Sequence, residues 1–521
     1  MNRSAGTPID DELLTRMPEI EIDPTTRIEG HHSTTLTVEE GRVVRAESEM
    51  NMFRGIENIV LGRRPSDVPQ VTQMVCGVCF TCHRQASILA IEDAARRAGV
   101  FGAVPENGRL LRDIMEGMFL LWNHTIHLFT LAGPDYSDSV ADTGFDRLDP
   151  VDGDGYRTAL EHQRRLLQGF SEFGGRAPHP LTYAPGGVVT DPDPETIAEV
   201  RETIAALDEW LGPTGALEET IERARDRAGP TDSAMGLYDV CSVLVGAAEA
   251  GAERFGVGPG RFYANGMFYG AGDDSLVLPP GIYRGGRLTR PTREELVDGI
   301  TEDVGFAWYT DDSGGSPADA PPPQPAPEKA DAYSWGKAPR FEGDSMETGP
   351  LARLIAAKRD PGDLRATFGD GPRSSNTFNR LAARVQELLL VREYVLQWLD
   401  ALDPTGETTA SWDDDFSGRG VGFWGASRGA LSHWVDIENG EVTGYQLITP
   451  TTWNLGPRDD EGDPSVFEEA VEGIEVADVS DPIDVMRTIR SFDPCLGCGV
   501  HVHDGTESFE TTVEPHAPGG G

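Results

Sequence analysis

Lysine is almost missing from this chain: only Lys329, Lys337 and Lys358 occur, so 41 of its 44 basic residues are arginine. Against them stand 87 aspartates and glutamates, for a formal charge of -43. Such a balance excludes a nucleic-acid binder that works by neutralising phosphates. The acid excess runs along the whole length and is not a tail. A dense carboxylate surface keeps a protein hydrated and repelled from its neighbours where salt screens charge over only a few ångströms. The composition therefore predicts a salt-rich cytoplasm, as in halophilic archaea; the plainer alternative is an acidic protein with no special habitat.

Long apolar runs are missing too. No stretch reaches the roughly 18 residues that a membrane helix needs, and residues 1–24 have neither the basic start nor the apolar centre of a secretory signal. Membrane association or export is thus expected to come through a partner. With 38% hydrophobic residues over 521 positions, the chain can bury a large core and exceeds the roughly 250–300 residues at which single cores stop growing, which predicts two or more lobes.

Cysteine is scarce: Cys76, Cys79, Cys82, Cys241, Cys495 and Cys498. Five of the six fall into two tight clusters at opposite ends, a distribution that suits a shared metal site better than a disulfide framework.

Residues 1–50 read as a small β element, with apolar and polar residues alternating over 19–49. Helical spacing then dominates, over 84–98, 108–131, 156–170, 194–226 with breaks, and 377–402. The fold class expected is mainly α, a large helical-bundle core with small peripheral β elements. Within 51–310, the part from 256 to 304 suggests irregular short strands. Residues 311–330, with Pro321-Pro322-Pro323, read as a surface loop outside the core. The second helical and β part spans 331–501, with strand-like alternation over 406–449, and 502–521 is a polar extension without apolar periodicity that cannot order itself.

The chemistry is expected in the two thiol clusters. The first is Cys76-Gly77-Val78-Cys79-Phe80-Thr81-Cys82-His83, and the second Asp493-Pro494-Cys495-Leu496-Gly497-Cys498-Gly499-Val500-His501. Each presents two thiols three residues apart, so that two loops together make a four-sulfur site. A structural zinc joining the chain ends satisfies that spacing equally well. Yet zinc ribbons usually close within a few dozen residues and staple small domains, whereas more than 400 residues separate these pairs. That separation favours a buried catalytic metal.

These residues resemble the large subunit of nickel-iron hydrogenases. The likeness rests on both cysteine motifs and on Arg27-Ile28-Glu29-Gly30-His31, Phe53-Arg54-Gly55-Ile56-Glu57, Gly174-Gly175-Arg176-Ala177-Pro178-His179-Pro180, Lys337-Ala338-Pro339-Arg340, Gly349-Pro350-Leu351-Ala352-Arg353, Arg428-Gly429-Ala430-Leu431 and Pro450-Thr451-Thr452-Trp453-Asn454, all in the family's order. The resemblance implies four thiolates on nickel: Cys76 and Cys495 terminal, Cys79 and Cys498 also bridging to an iron that carries carbon monoxide and cyanide. It implies heterolytic, reversible oxidation of H2 to protons and electrons, biased towards uptake, with Cys495 as first base and Glu29 as the carboxylate that carries the proton onward. Arg428 would point at the open metal position. Ser427 stands where the family usually has proline, and its hydroxyl could meet a cyanide ligand. Asp493 would orient Arg428 or the Cys495 loop, and His83 would support a thiolate.

By the same resemblance Glu57 and His501, with a backbone carbonyl at Leu447 or Ile448, would hold a magnesium-type ion. His179 would face the nearest cluster of an iron-sulfur small subunit, which is required because this chain has too few cysteines for an electron relay. Nickel-insertion factors and a maturation endopeptidase that cuts between His501 and Val502 are further implied partners. The small subunit would bring the enzyme to the membrane, a cytoplasmic complex being the alternative. Three departures stand out: Asn123 where relatives carry aspartate, Met74 where they carry arginine, and the extra thiol Cys82. The competing reading is a non-catalytic metal-binding subunit of a redox complex, with structural zinc on the four cysteines.

Overall fold

The computed structural model describes residues 19–271, 275–358 and 374–496. A three-stranded antiparallel sheet comes first, of β1 (Glu19–Ile22), β2 (His32–Glu39) and β3 (Arg42–Met50). The principal helices follow: α1 (Phe80–Arg97), α2 (Glu106–Ile126), α3 (Asp154–Gly174), α4 (Pro194–Leu211), α5 (Met235–Glu249) and α6 (Thr377–Ala401). A second antiparallel sheet, of β4 (Gly418–Ala426), β5 (Gly429–Glu438) and β6 (Glu441–Ile448), precedes α7 (Pro450–Leu455) and α8 (Ile483–Ser491).

The helical spacing in the sequence thus becomes helices, with α2 buried between α3 and α6. From Leu110 to Leu121 every residue of α2 is buried, the charged Arg112, Asp113 and Glu116 included. Its last turn widens into a π-helical segment, His127–Leu131. The buried apolar side chains form one dominant cluster, from Ile56 to Cys495, with smaller clusters beside it.

Sheet β4–β5–β6 lies against α1 at unusually close range. A Cβ on Gly422 would come within 1.9 Å of the Ala86 carbonyl oxygen, and one on Gly420 within 2.1 Å of that of Ala90. Only glycine permits this approach, and it brings the His83 side of α1 up against β5 and β6. The Pro-rich segment, expected outside the core, is only partly exposed and is anchored: Pro323 is buried and its carbonyl accepts from Asn58 Nδ2 at 3.0 Å. Lys329 Nζ donates to the Val304 and Tyr309 carbonyls at 2.8 and 3.1 Å. The segment therefore caps the neighbourhood of Glu57.

Candidate metal centre

Cys76 ends a short 3-10 turn in extended conformation, and Cys79 caps the N-terminus of α1. Cys495 arrives from the far end of the chain, just after α8. Its loop is held by a parallel bridge to Glu29, with Leu496 N–H donating to the Glu29 carbonyl at 2.7 Å, and by Cys495 N–H donating to Thr451 Oγ1 at 3.0 Å. The sulfurs of Cys76 and Cys495 are 3.1 Å apart and those of Cys79 and Cys495 3.6 Å. All three lie within 4.8 Å of one another and are buried. Three soft donors so placed fit a thiophilic metal. Burial first, then Cys76 and Glu29, push the Cys495 thiol up, so that a cation among the sulfurs is what would ionise it. Cys498, His501 and Val502 lie outside the described residues.

Glu29 is half-buried, and its Oε2 accepts from Cys495 Sγ at 3.0 Å. Arg428 sits at the turn between β4 and β5, fully enclosed. Its Nε donates to the Asp493 carbonyl at 2.6 Å, Nη2 to Asp493 Oδ1 at 3.1 Å and Nη1 to Ser427 Oγ at 3.3 Å. Burial works against the charge on Arg428, but Asp493, Cys495, Cys76 and Glu29 together hold its pKa above the ordinary value. Burial likewise opposes ionisation of Asp493, and Arg428, His127 and Arg384 outweigh it, so that this carboxyl titrates below its usual range. Asp493 has a left-handed backbone, φ 55°, which turns its carbonyl and carboxylate to the same guanidinium.

The departures from the family pattern now have physical accounts. Asn123 Nδ2 donates to Asp493 Oδ2 at 2.7 Å. A neutral amide there supplies a donor to Asp493 where a second carboxylate would repel it. Met74 is exposed, and Arg54 braces the 3-10 turn before Cys76 by donating to the carbonyls of Val75 and Met74 at 2.7 and 2.8 Å. Cys82 points away from the sulfur cluster and donates to Glu116 Oε2 at 3.5 Å.

His83 Nδ1 meets His433 Nε2 at 3.1 Å. His124 Nε2 lies 2.8 Å from Glu387 Oε2 and His127 Nε2 2.6 Å from the Arg490 carbonyl, both as support within the core. His179 is partly exposed and packs edge-on against Phe80, the residue after Cys79, with ring centres 5.5 Å apart.

Glu57 is buried beside a cavity of about 30 Å³ that is also lined by Glu302, Lys337, Leu447 and Thr449. Burial pushes its carboxyl up to about 7 against the pull of Lys337, and Oε2 has no hydrogen-bond partner. An orphaned buried carboxylate oxygen beside a small cavity suits a hard cation.

Sequence reasoning missed Glu116, His433 and Tyr445. Glu116 was legible as a charge inside an apolar helical run. The other two lie on strands whose alternation gave no hint of a hydrogen-bonded chain.

A profile of the nickel-dependent hydrogenase family matches residues 54–150 and 154–501. The chain belongs to that family. It is 32% identical to the periplasmic [NiFeSe] hydrogenase large subunit of Desulfomicrobium baculatum, over 96% of this chain and 97% of that one. It is 30% identical to the quinone-reactive Ni/Fe-hydrogenase large chain of Wolinella succinogenes, over 95% and 98%. The reduced Ni-Fe-Se hydrogenase of D. vulgaris Hildenborough superposes with a TM-score of 0.78 at 30% identity, covering 93% of this chain and 100% of the other. This hydrogenase large subunit is therefore the catalytic subunit of a hydrogen-oxidising nickel-iron enzyme, which pairs with an iron-sulfur small subunit as a heterodimer. No helix among the described residues is long and apolar enough to cross a membrane.

Proposed function

We propose that Cys76, Cys79 and Cys495, joined by Cys498, hold nickel, and that Cys79 and Cys498 share it with an iron bearing carbon monoxide and cyanide. The observation that carries this reading is the convergence of three buried sulfurs from positions 76, 79 and 495 within 4.8 Å, with a carboxylate hydrogen-bonded to one of them. When bound, the metal pair supplies the soft, electron-rich centre at which H2 is polarised and its electrons are taken up. The chain supplies the rest. Cys495 Sγ takes the proton and hands it to Glu29 Oε2, 3.0 Å away, and the half-buried Glu29 carries it outward. The enclosed Arg428–Asp493 pair keeps water from the reacting face and fixes positive charge beside it.

Glu57, His501 and the carbonyl of Leu447 or Ile448 form the magnesium-type site in this reading, supported by the unpartnered Oε2 of Glu57. His179 faces the nearest cluster of the small subunit, a role that its partial exposure beside Phe80 suits. Nickel-insertion factors load the site, and an endopeptidase then cuts between His501 and Val502. Active enzyme should have a mass ending at His501, and a retained tail would refute the cleavage. The small subunit brings the complex to the membrane; recovery of all activity in the soluble fraction would favour the cytoplasmic alternative. The acidic, lysine-poor surface suits a salt-rich cytoplasm.

Infrared spectroscopy on the complex with its small subunit tests the centre. Carbon monoxide and cyanide bands that shift when hydrogen replaces argon are expected. Their absence from a preparation with stoichiometric zinc would return the four cysteines to a structural role.

A further inference from the structure

The segment that follows α2 grips two separate parts of the chain. Its π turn gives one contact to each: the Leu131 carbonyl accepts from Arg27 Nη1 at 2.8 Å, and His127 Nε2 donates to the Arg490 carbonyl at 2.6 Å. Just beyond, Asp135 stands in a short 3-10 turn and is fully buried. Its Oδ1 accepts from two guanidinia, Arg27 Nη2 and Arg490 Nη1, the latter at 2.7 Å. Its Oδ2 has no partner among the described residues. The Asp135 carbonyl accepts from Arg487 Nη2 at 2.9 Å.

The two arginines lead to the two ends of the proton-transfer step. Arg27 lies two residues before Glu29, and Arg490 five before Cys495. Arg490 also reaches the Glu29 arm directly, from Nε to the Thr26 carbonyl and from Nη2 to Thr26 Oγ1, both at 3.1 Å. One carboxylate thereby ties the irregular arm between β1 and β2 to α8, the helix that delivers Cys495. The main-chain bridge between Glu29 and Cys495 does not replace this clamp. Its two bonds, at 2.7 and 3.4 Å, touch the arm at a single point, about which the arm can pivot. Anchors at Thr26 and Arg27 remove that freedom. Arg27 also has a left-handed backbone, φ 58°, which a residue with a Cβ keeps only where its surroundings fix it. Its guanidinium is fixed at Leu131 and Asp135.

We propose that Asp135 is a positioning residue for proton transfer: through Arg27 and Arg490 it holds the Glu29 arm against the Cys495 loop, and so sets the 3.0 Å separation of the Glu29 carboxylate from the Cys495 sulfur. Burial makes one carboxylate sufficient. Charge-assisted bonds are strong away from water, and without Asp135 the guanidinia of Arg27 and Arg490 would face each other with no negative group between them. Transfer between two fixed groups falls off steeply with their separation, so a displacement of the arm by about 1 Å is enough to cost up to about 100-fold in rate.

This assignment rests on Glu29 as the acceptor of the Cys495 proton, and the test, made on the metal-loaded heterodimer, separates the two. In Asp135→Ala, backbone hydrogen exchange should quicken in peptides covering 26–31 and 490–496 and stay unchanged in the other helices. Turnover should fall about 10–100-fold with metal content unchanged. Formation of HD from H2 in D2O, which needs the proton to leave Cys495 for solvent, should fall with it. Conversion of para-hydrogen, which needs only that hydrogen be split and re-formed, should be kept. Asp135→Asn retains Oδ1 as an acceptor and should lie between wild type and Asp135→Ala. Should both fail to assemble, Arg27→Gln cuts the same link from its partly exposed side and should show the same pattern. Combined with Glu29→Gln, each variant should be no slower than Glu29→Gln alone, because Asp135 acts only through Glu29. Wild-type exchange over 26–31, an equal loss of HD formation and para-hydrogen conversion, or losses that add in the double variant would overturn the proposal. A Glu29→Gln enzyme that forms HD at the wild-type rate would instead overturn the role of Glu29.

Discussion

The thiol of Cys495 donates to Oε2 of Glu29 at 3.0 Å, and the backbones of the two residues are bridged in parallel. Residues 466 positions apart in the chain are thereby locked at hydrogen-bond range by their main chains, so the contact does not depend on side-chain rotamers alone. A proton released at the sulfur has an acceptor already in place.

Glu29→Gln keeps the shape and removes the acceptor. Turnover in hydrogen-driven dye reduction should fall about 10²–10⁴-fold, the range typical of a lost proton-transfer group, with metal content unchanged. Unchanged turnover would show that the proton leaves by another route.

Arg428 and Asp493 form an enclosed pair, so removing one charge leaves the other buried and unpaired. Asp493→Ala strands a buried guanidinium and should destabilise the chain by about 3–5 kcal/mol, seen as a lower midpoint in denaturant unfolding. Arg428→Lys keeps the charge but loses the fork that reaches both the carbonyl and the carboxylate of Asp493. Turnover should drop by at least tenfold with little change in the unfolding midpoint, and an equal loss of both would mean a purely structural role.

Glu116 and Glu387 predict opposite responses to pH. Burial pushes Glu116 up to about 8, above its unfolded value. Its contribution to stability is complete below about pH 4.5 and is lost as pH rises through 8. Burial also acts on Glu387, but Arg353 and His124 outweigh it and hold the group at about 2. That contribution is present above about pH 4.5 and is lost as pH falls through 2. Thermal unfolding of Glu116→Gln should therefore show a smaller loss of stability between pH 5 and 8 than wild type. Glu387→Gln should lower stability at neutral pH and flatten its fall in acid. Parallel profiles for either variant and wild type would contradict the assigned charge states.

Gly422 tests the fit of helix to sheet. Gly422→Ala places a methyl within 1.9 Å of the Ala86 carbonyl oxygen, so α1 must move away from β4. An overpacking cost of about 1–3 kcal/mol is expected. A variant as stable as wild type would show that the backbones yield freely.

Much of this was legible in the sequence. The three- and four-residue apolar spacing marked the long helices, and alternation marked the strands over 19–49 and 406–449, because each period matches the geometry of one element. The paired thiols were legible from their spacing, and Glu29 and Arg428 through the resemblance of their short motifs to those of the hydrogenase family. Position in space was not. That Asn123 repairs the contact to Asp493, that Cys82 turns to Glu116, and that Pro323 is buried near Glu57 follow from long-range packing, to which local spacing is blind. The chain by itself determined which elements form and which side chains could bind a soft metal. Only the tertiary structure decided that residues 29, 76, 79, 428 and 495 converge on one site and that His83, His433, Tyr445 and Ser87 join in one hydrogen-bonded chain. The physical reason is that hydrogen bonding and exclusion of water act through distances of a few ångströms, whatever the separation along the chain.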